Sequence, residues 1–263
     1  MPVLERAGQR VAYVDSGGDG AAVVLAHNLM SHAGTFAAVT ARLAPRWRVL
    51  AVDLRGHGAS GGATGPFTTV DLAEDLAAVM DAAGVDAAFV AGTSLGAAAA
   101  AELALRRPAR VRGLALMAAT PFTATLADRA KFAALRGVLR ALGPGPVMPA
   151  MLQQLHGASY RANDRGGAAA AADQIRATRR SDLAWAVQSW AQRPRLAGRL
   201  AEITAPTVVV VGEEDTACPR RSSEAIAAEI VGARLAVVRG SGHSLQLERP
   251  AEVAEILTTW LAG

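Results

Sequence analysis

Cysteine, lysine, aromatic side chains and long apolar runs are all scarce in this chain of 263 residues. The single cysteine, Cys218, has no partner within the chain for a disulfide, and the opening MPVLERAGQR carries charges where a secretory leader would be apolar. A reducing cytoplasm is the expected location. The longest apolar stretches, around 87–101 and 206–211, are interrupted by glycine, serine or threonine and fall short of the roughly 18 residues that cross a bilayer. No membrane partner is expected. Lys131 is the only lysine, so the formal charge of +4 and the pI near 10.1 rest on arginine, which occurs at most in pairs such as Arg106-Arg107 and Arg220-Arg221. With aromatics at 4%, no basic stripe interleaves with rings that could stack on bases, which argues against a nucleic-acid partner. H-E-x-x-H, paired cysteines and the G-x-x-x-x-G-K-[ST] phosphate loop are missing as well, and Asp53 does not follow a glycine-rich strand-to-helix turn. Neither a metal nor another cofactor is required.

Half of the residues are hydrophobic and 19% are charged, a globular balance at a length that one α/β domain can fill. Short β-rich runs at 11–14, 22–26, 48–52, 87–91, 113–117, 207–211 and 235–238 alternate with helical patterns, as in a mostly parallel sheet wrapped by helices. Residues 69–83 place Leu72, Leu76, Val79 and Ala83 on one helical face, with Thr68 and Asp71 spaced as a capping box and Gly84 where a helix would stop. Further helices are predicted at 95–107, ending before Pro108, and at 250–261, starting on a proline. The alternation breaks after residue 120. Residues 121–200 read as an inserted helical cap, cut by Gly143-Pro144-Gly145-Pro146 and by the stretch 163–167, and residues 1–120 with 201–263 read as the core.

Three segments carry chemistry. Gly92-Thr93-Ser94-Leu95-Gly96 fits G-x-S-x-G directly between a strand and an alanine-rich helix, the setting that presents a serine hydroxyl on a sharp turn above the sheet. A serine needs a base and a carboxylate that orients it. Acidic residues emerge in Gly212-Glu213-Glu214-Asp215 at the end of a strand, and Gly240-Ser241-Gly242-His243 follows the next one. The serine, acid, histidine order is that of α/β-hydrolases.

From residue 11 to 261 the chain resembles the α/β-hydrolase superfamily. Asp53-Leu54-Arg55-Gly56-His57-Gly58-Ala59-Ser60 is similar to a D-x-R-G-x-G-x-S turn of many members. Together with His27-Asn28-Leu29 and Gly242-His243-Ser244 it most resembles the 3-oxoadipate enol-lactonase and carboxylesterase group. The resemblance implies an α/β-hydrolase fold with an eight-stranded, mostly parallel sheet and a helical cap. It implies Asp215, ahead of Glu214, as the third member of a triad with Ser94 and His243, and an oxyanion hole from the N–H groups of Leu29 and Leu95. Asn28 stands where the family commonly has glycine, so its amide is a candidate contact to substrate.

The expected chemistry is hydrolysis of a small to medium carboxylic ester or lactone through an acyl-enzyme. Phe122, Phe132, Leu135, Met148, Met151, Leu152, Trp185 and Trp190 supply apolar cap material, with Phe122, Met148 and Trp185 the expected substrate contacts alongside Asn28. Arginines 129, 136, 140 and 161 are alternative partners for a substrate carboxylate. His57 reads as part of the structural turn, His32 and His156 as packing residues ahead of pocket-lining ones, and Cys218 as a small buried residue. The same triad also serves acyltransferases, cofactor-free perhydrolases or haloperoxidases and carbon-carbon bond hydrolases, and a ligand receptor on this scaffold is a reading of another class. A small-molecule substrate is the expected partner, and the sequence is compatible with a homodimer.

Overall fold

Runs of valine, leucine and alanine between turn residues become the strands of one sheet in the computed structural model, which describes residues 1–262. They are β1 (Val3–Arg6), β2 (Gln9–Asp15), β3 (Ala22–Ala26), β4 (Arg48–Asp53), β5 (Ala88–Thr93), β6 (Val111–Met117), β7 (Thr207–Gly212) and β8 (Arg234–Val238). Their spatial order is β1-β2-β4-β3-β5-β6-β7-β8. β2 runs antiparallel to β1 and β4, and the other pairings are parallel. Every residue of β3 and β7 is buried, as in parallel strands covered on both faces. β1 has no counterpart among the seven sequence runs. It is a short edge strand of exposed and half-buried residues, so no continuous apolar signal marks it.

The helices are α1 (Ala37–Leu43), α2 (Thr69–Ala82), α3 (Leu95–Arg106), α4 (Leu126–Leu142), α5 (Met148–Leu155), α6 (Ala158–Asn163), α7 (Arg165–Ala177), α8 (Arg180–Ala191), α9 (Arg220–Glu229), α10 (Leu245–Glu248) and α11 (Pro250–Ala262). α2 starts on the expected box: Thr68 accepts from the Asp71 N–H, and the Asp71 carboxylate accepts from the Thr68 N–H. α2, α3 and α9 cover one face of the sheet through Leu72, Leu76, Leu103 and Ile226. α1 and α11 cover the other through Val39, Leu43, Leu257 and Trp260. Each such buried leucine contributes about 1.5–3 kcal/mol.

α4 to α8 lie between β6 and β7, the part of the sequence where strands are missing. α4 stops at Gly143, whose φ of 79° ends the helix. The stretch 163–167 separates two helices, as expected, but by a single residue. Asp164 alone separates α6 from α7 and accepts from the Gly167 N–H at 2.8 Å, so a turn-forming residue acts as a helix cap. Leu139, Met148, Met151, Ile175, Leu183 and Val187 form a small core of these helices, joined from below by Met30. Asp182 in α8 accepts from the N–H groups of Gly62 and Ala63, fastening the helical layer to the loop after β4. Among the described residues, no helix is long and apolar enough to cross a membrane.

Candidate active site

Parallel strands that end on the same edge of a sheet deliver their loops to one place. β3, β5, β7 and β8 end there, followed by Leu29, Ser94, Asp215 and His243. Ser94 sits between β5 and α3 with φ 52° and ψ −107°, a conformation that side-chain-bearing residues avoid. The turn closes because its flanks carry no side chains. A Cβ on Gly92 would lie 2.2 Å from the Gly96 carbonyl oxygen, and one on Gly96 would lie 2.2 Å from that of Ala26.

His243 and Asp215 form a buried pair, 4% and 6% exposed. Nδ1 of the imidazole lies 2.9 Å from Asp215 Oδ2 and 3.1 Å from Oδ1. A carboxylate only accepts, so Nδ1 carries the proton and Nε2 keeps the lone pair a base needs. The carboxylate is itself fixed, because Oδ1 accepts from the N–H groups of Ala217 and Cys218, each at 2.9 Å. Burial lowers the proton affinity of His243, but the charge and hydrogen bond of Asp215 and the charge of Glu248 outweigh it and raise the pKa above the ordinary value. Glu214, the other acid considered, points to the Ser159 N–H at 2.8 Å and to its hydroxyl.

Among the described residues the Ser94 hydroxyl and the imidazole are not hydrogen-bonded to each other, yet both line one cavity of about 310 Å³. Catalytic hydrogen bonds commonly tighten only as substrate binds. The N–H of Leu95, in the first turn of α3, and that of Leu29 have no protein acceptor among the described residues. The next N–H in the loop, that of Met30, is taken by His57 Nε2 at 3.1 Å. His57 thus sits in the structural turn, as expected, and from there braces this loop, a contact the sequence did not reveal. The signal was its place in the turn after β4, where Asp53 also accepts from the Ala33 N–H at 2.6 Å. Burial holds His57 below the ordinary histidine range, which keeps Nε2 an acceptor.

The cavity wall also comprises Leu29, Met30, Phe132, Leu135, Met151 and Trp190. Four expected contacts lie elsewhere. Phe122 is 41% exposed, Met148 is packed in the small core of the cap, and Trp185 lies under the Arg140 guanidinium at 5.6 Å. Asn28 faces a neighbouring cavity, its Oδ1 accepting from Gln246 at 2.9 Å and its Nδ2 donating to Ser244 Oγ at 3.3 Å. Arg129 and Arg136 line a separate surface pocket beside Phe132. Cys218 borders the Ser94 cavity, but burial and the charge of Asp215 push its thiol up, so it stays protonated.

The model of a family described as serine aminopeptidase, S33, matches residues 19–250. The chain belongs to this family of α/β-hydrolases. A pimeloyl-[acyl-carrier protein] methyl ester esterase of Xanthomonas campestris pv. campestris is 32% identical over 95% of this chain and 99% of its own. Among solved structures, a thermophilic esterase from Thermogutta terrifontis is 26% identical, with a TM-score of 0.93 and coverage of 99% and 96%. An enol-lactonase from Burkholderia xenovorans LB400 reaches the same TM-score at 24% identity over 100% of both chains, a likeness that speaks for the fold. The expected membership of the α/β-hydrolase superfamily is borne out, with an esterase among the relatives that match.

Proposed function

We propose that the chain is a serine hydrolase that cleaves small to medium, largely apolar carboxylic esters or lactones through an acyl-enzyme. The observation that carries this reading is the His243 imidazole, oriented by Asp215, in the same apolar cavity as the strained Ser94. Ser94 attacks the carbonyl as His243 takes its proton, and Asp215 holds the imidazole in the required tautomer. Negative charge on the tetrahedral oxygen is met by the N–H groups of Leu29 and Leu95, each contributing roughly 3 kcal/mol to the transition state. The imidazolium returns its proton to the leaving alcohol, and water repeats the cycle on the acyl-enzyme. The esterase named among the relatives supports ester cleavage. In this reading residues 121–200 act as the cap that roofs the cavity, over a core of 1–120 and 201–263, and the enzyme works in the cytoplasm.

A serine-directed phosphonate followed by intact-mass measurement tests it. One adduct on the wild type and none on Ser94→Ala is expected, and an ester and lactone panel then sets the substrate range. Equal labelling of both proteins would remove Ser94 from the mechanism.

A further inference from the structure

The candidate base lies on a loop gripped by a carboxylate outside the triad. Glu248, the last residue of α10, is 6% exposed and turns both oxygens to backbone donors. Gly242 N–H donates to Oε2 at 2.6 Å, Gly157 N–H to the same oxygen at 3.2 Å, and Ser244 N–H to Oε1 at 3.2 Å. Gly242 and Ser244 are the chain neighbours of His243, so one side chain holds the backbone on both sides of the imidazole. Charge-assisted bonds from N–H groups to a carboxylate are roughly twice as strong as neutral ones.

Gly157 belongs to the helical layer between β6 and β7, and the contact there is backbone on backbone. A Cβ on Gly242 would lie 2.1 Å from the Gly157 nitrogen. The Leu155 carbonyl accepts from the Ser244 N–H at 3.0 Å, and the buried His156 places Nδ1 3.5 Å from Glu248 Oε1. Ser159 reaches the other loop through Glu214, next to Asp215. The segment 155–159 is thus bonded to the loop of the candidate base through Leu155 and to that of the candidate acid through Ser159.

We propose that Glu248 is a positioning residue for the reaction, aligning His243 with Asp215 and Ser94 through the flanking N–H groups and tying that alignment to the cap through Gly157. The proposal rests on the serine mechanism above. The charged or titratable groups around His243 are Asp215 at Nδ1, Glu248 behind the loop and Cys218 on the cavity wall, with His156 beyond Glu248. Loss of the Glu248 charge therefore withdraws support from the imidazolium as well as from the backbone.

The test compares wild type, E248Q, E248D and S94A by circular dichroism, thermal unfolding and kinetics on p-nitrophenyl butyrate across pH. E248Q keeps the size of the side chain but turns one acceptor oxygen into an amide NH2, a donor facing N–H donors. Its kcat is expected to fall roughly ten- to a hundredfold, with KM within about twofold and the acid limb moved to lower pH. E248D keeps the charge, so its limb stays in place while kcat falls. A folded E248Q with wild-type kcat and limb overturns the proposal; should E248Q not fold, an E248D with wild-type kcat does so alone. Undiminished turnover by S94A would instead overturn the serine mechanism beneath it.

Discussion

Ser94 holds its φ of 52° against a steric cost of about 1–3 kcal/mol, so the elbow stores strain that only the hydroxyl's function repays. Ser94→Gly removes both, and the variant is expected to be inactive yet to melt a few degrees higher than wild type in calorimetry; an unchanged or lower Tm would contradict the strain. Asp215→Asn leaves the shape of the proposed triad but disturbs the tautomer of His243, and kcat should fall roughly ten-thousandfold. For His243, the proposed base, the sign is fixed by its surroundings. A raised pKa keeps the imidazole protonated to higher pH, so activity should rise with pH along a limb centred above the ordinary histidine value of about 6.5. A limb centred below it would count against the Asp215 contact. His27 and His57 behave oppositely: both are buried and held below that value, so stability present above about pH 6.5 is lost as pH falls from there towards their folded pKa values. Comparing the fall of Tm on acidification between wild type and His57→Gln isolates the His57 share, which should shrink in the variant.

At the scale of elements, the elbow was legible because strand, turn and helix meet within a few residues. Gly92 and Gly96 are demanded by contacts to neighbouring backbone, and local sequence reports such demands directly. Gly92→Ala should cost several degrees of Tm or prevent folding, as overpacking against the Gly96 carbonyl costs about 1–3 kcal/mol or more. The acid and histidine loops were legible for a similar reason, since each follows an apolar strand, the buried β7 and the half-buried β8. The bracing was not. His57 reaches Met30 across 27 residues and Glu248 reaches Gly157 across 91, and no periodicity announces bonds of that span.

At the scale of the whole molecule, the cavity is made where the helical layer closes over the sheet edge, and that docking decides which cap residues meet a substrate. Sequence showed an apolar set but not the faces it would present. Phe132, Leu135, Met151 and Trp190 turn to the cavity, whereas Phe122, Met148 and Trp185 do not. Ala150 also lines it, so Ala150→Phe should lower kcat/KM for a butyrate ester about tenfold more than for an acetate ester, the equivalent of about 1.4 kcal/mol of lost fit. The central claim is that one oxygen, that of Ser94, becomes acylated during turnover. Acid quenching of the wild type during turnover of a p-nitrophenyl ester, followed by peptide mass mapping, should find the acyl mass on the peptide that holds Ser94. Rapid turnover with no acyl group there, and with His243→Ala as active as wild type, would contradict the account.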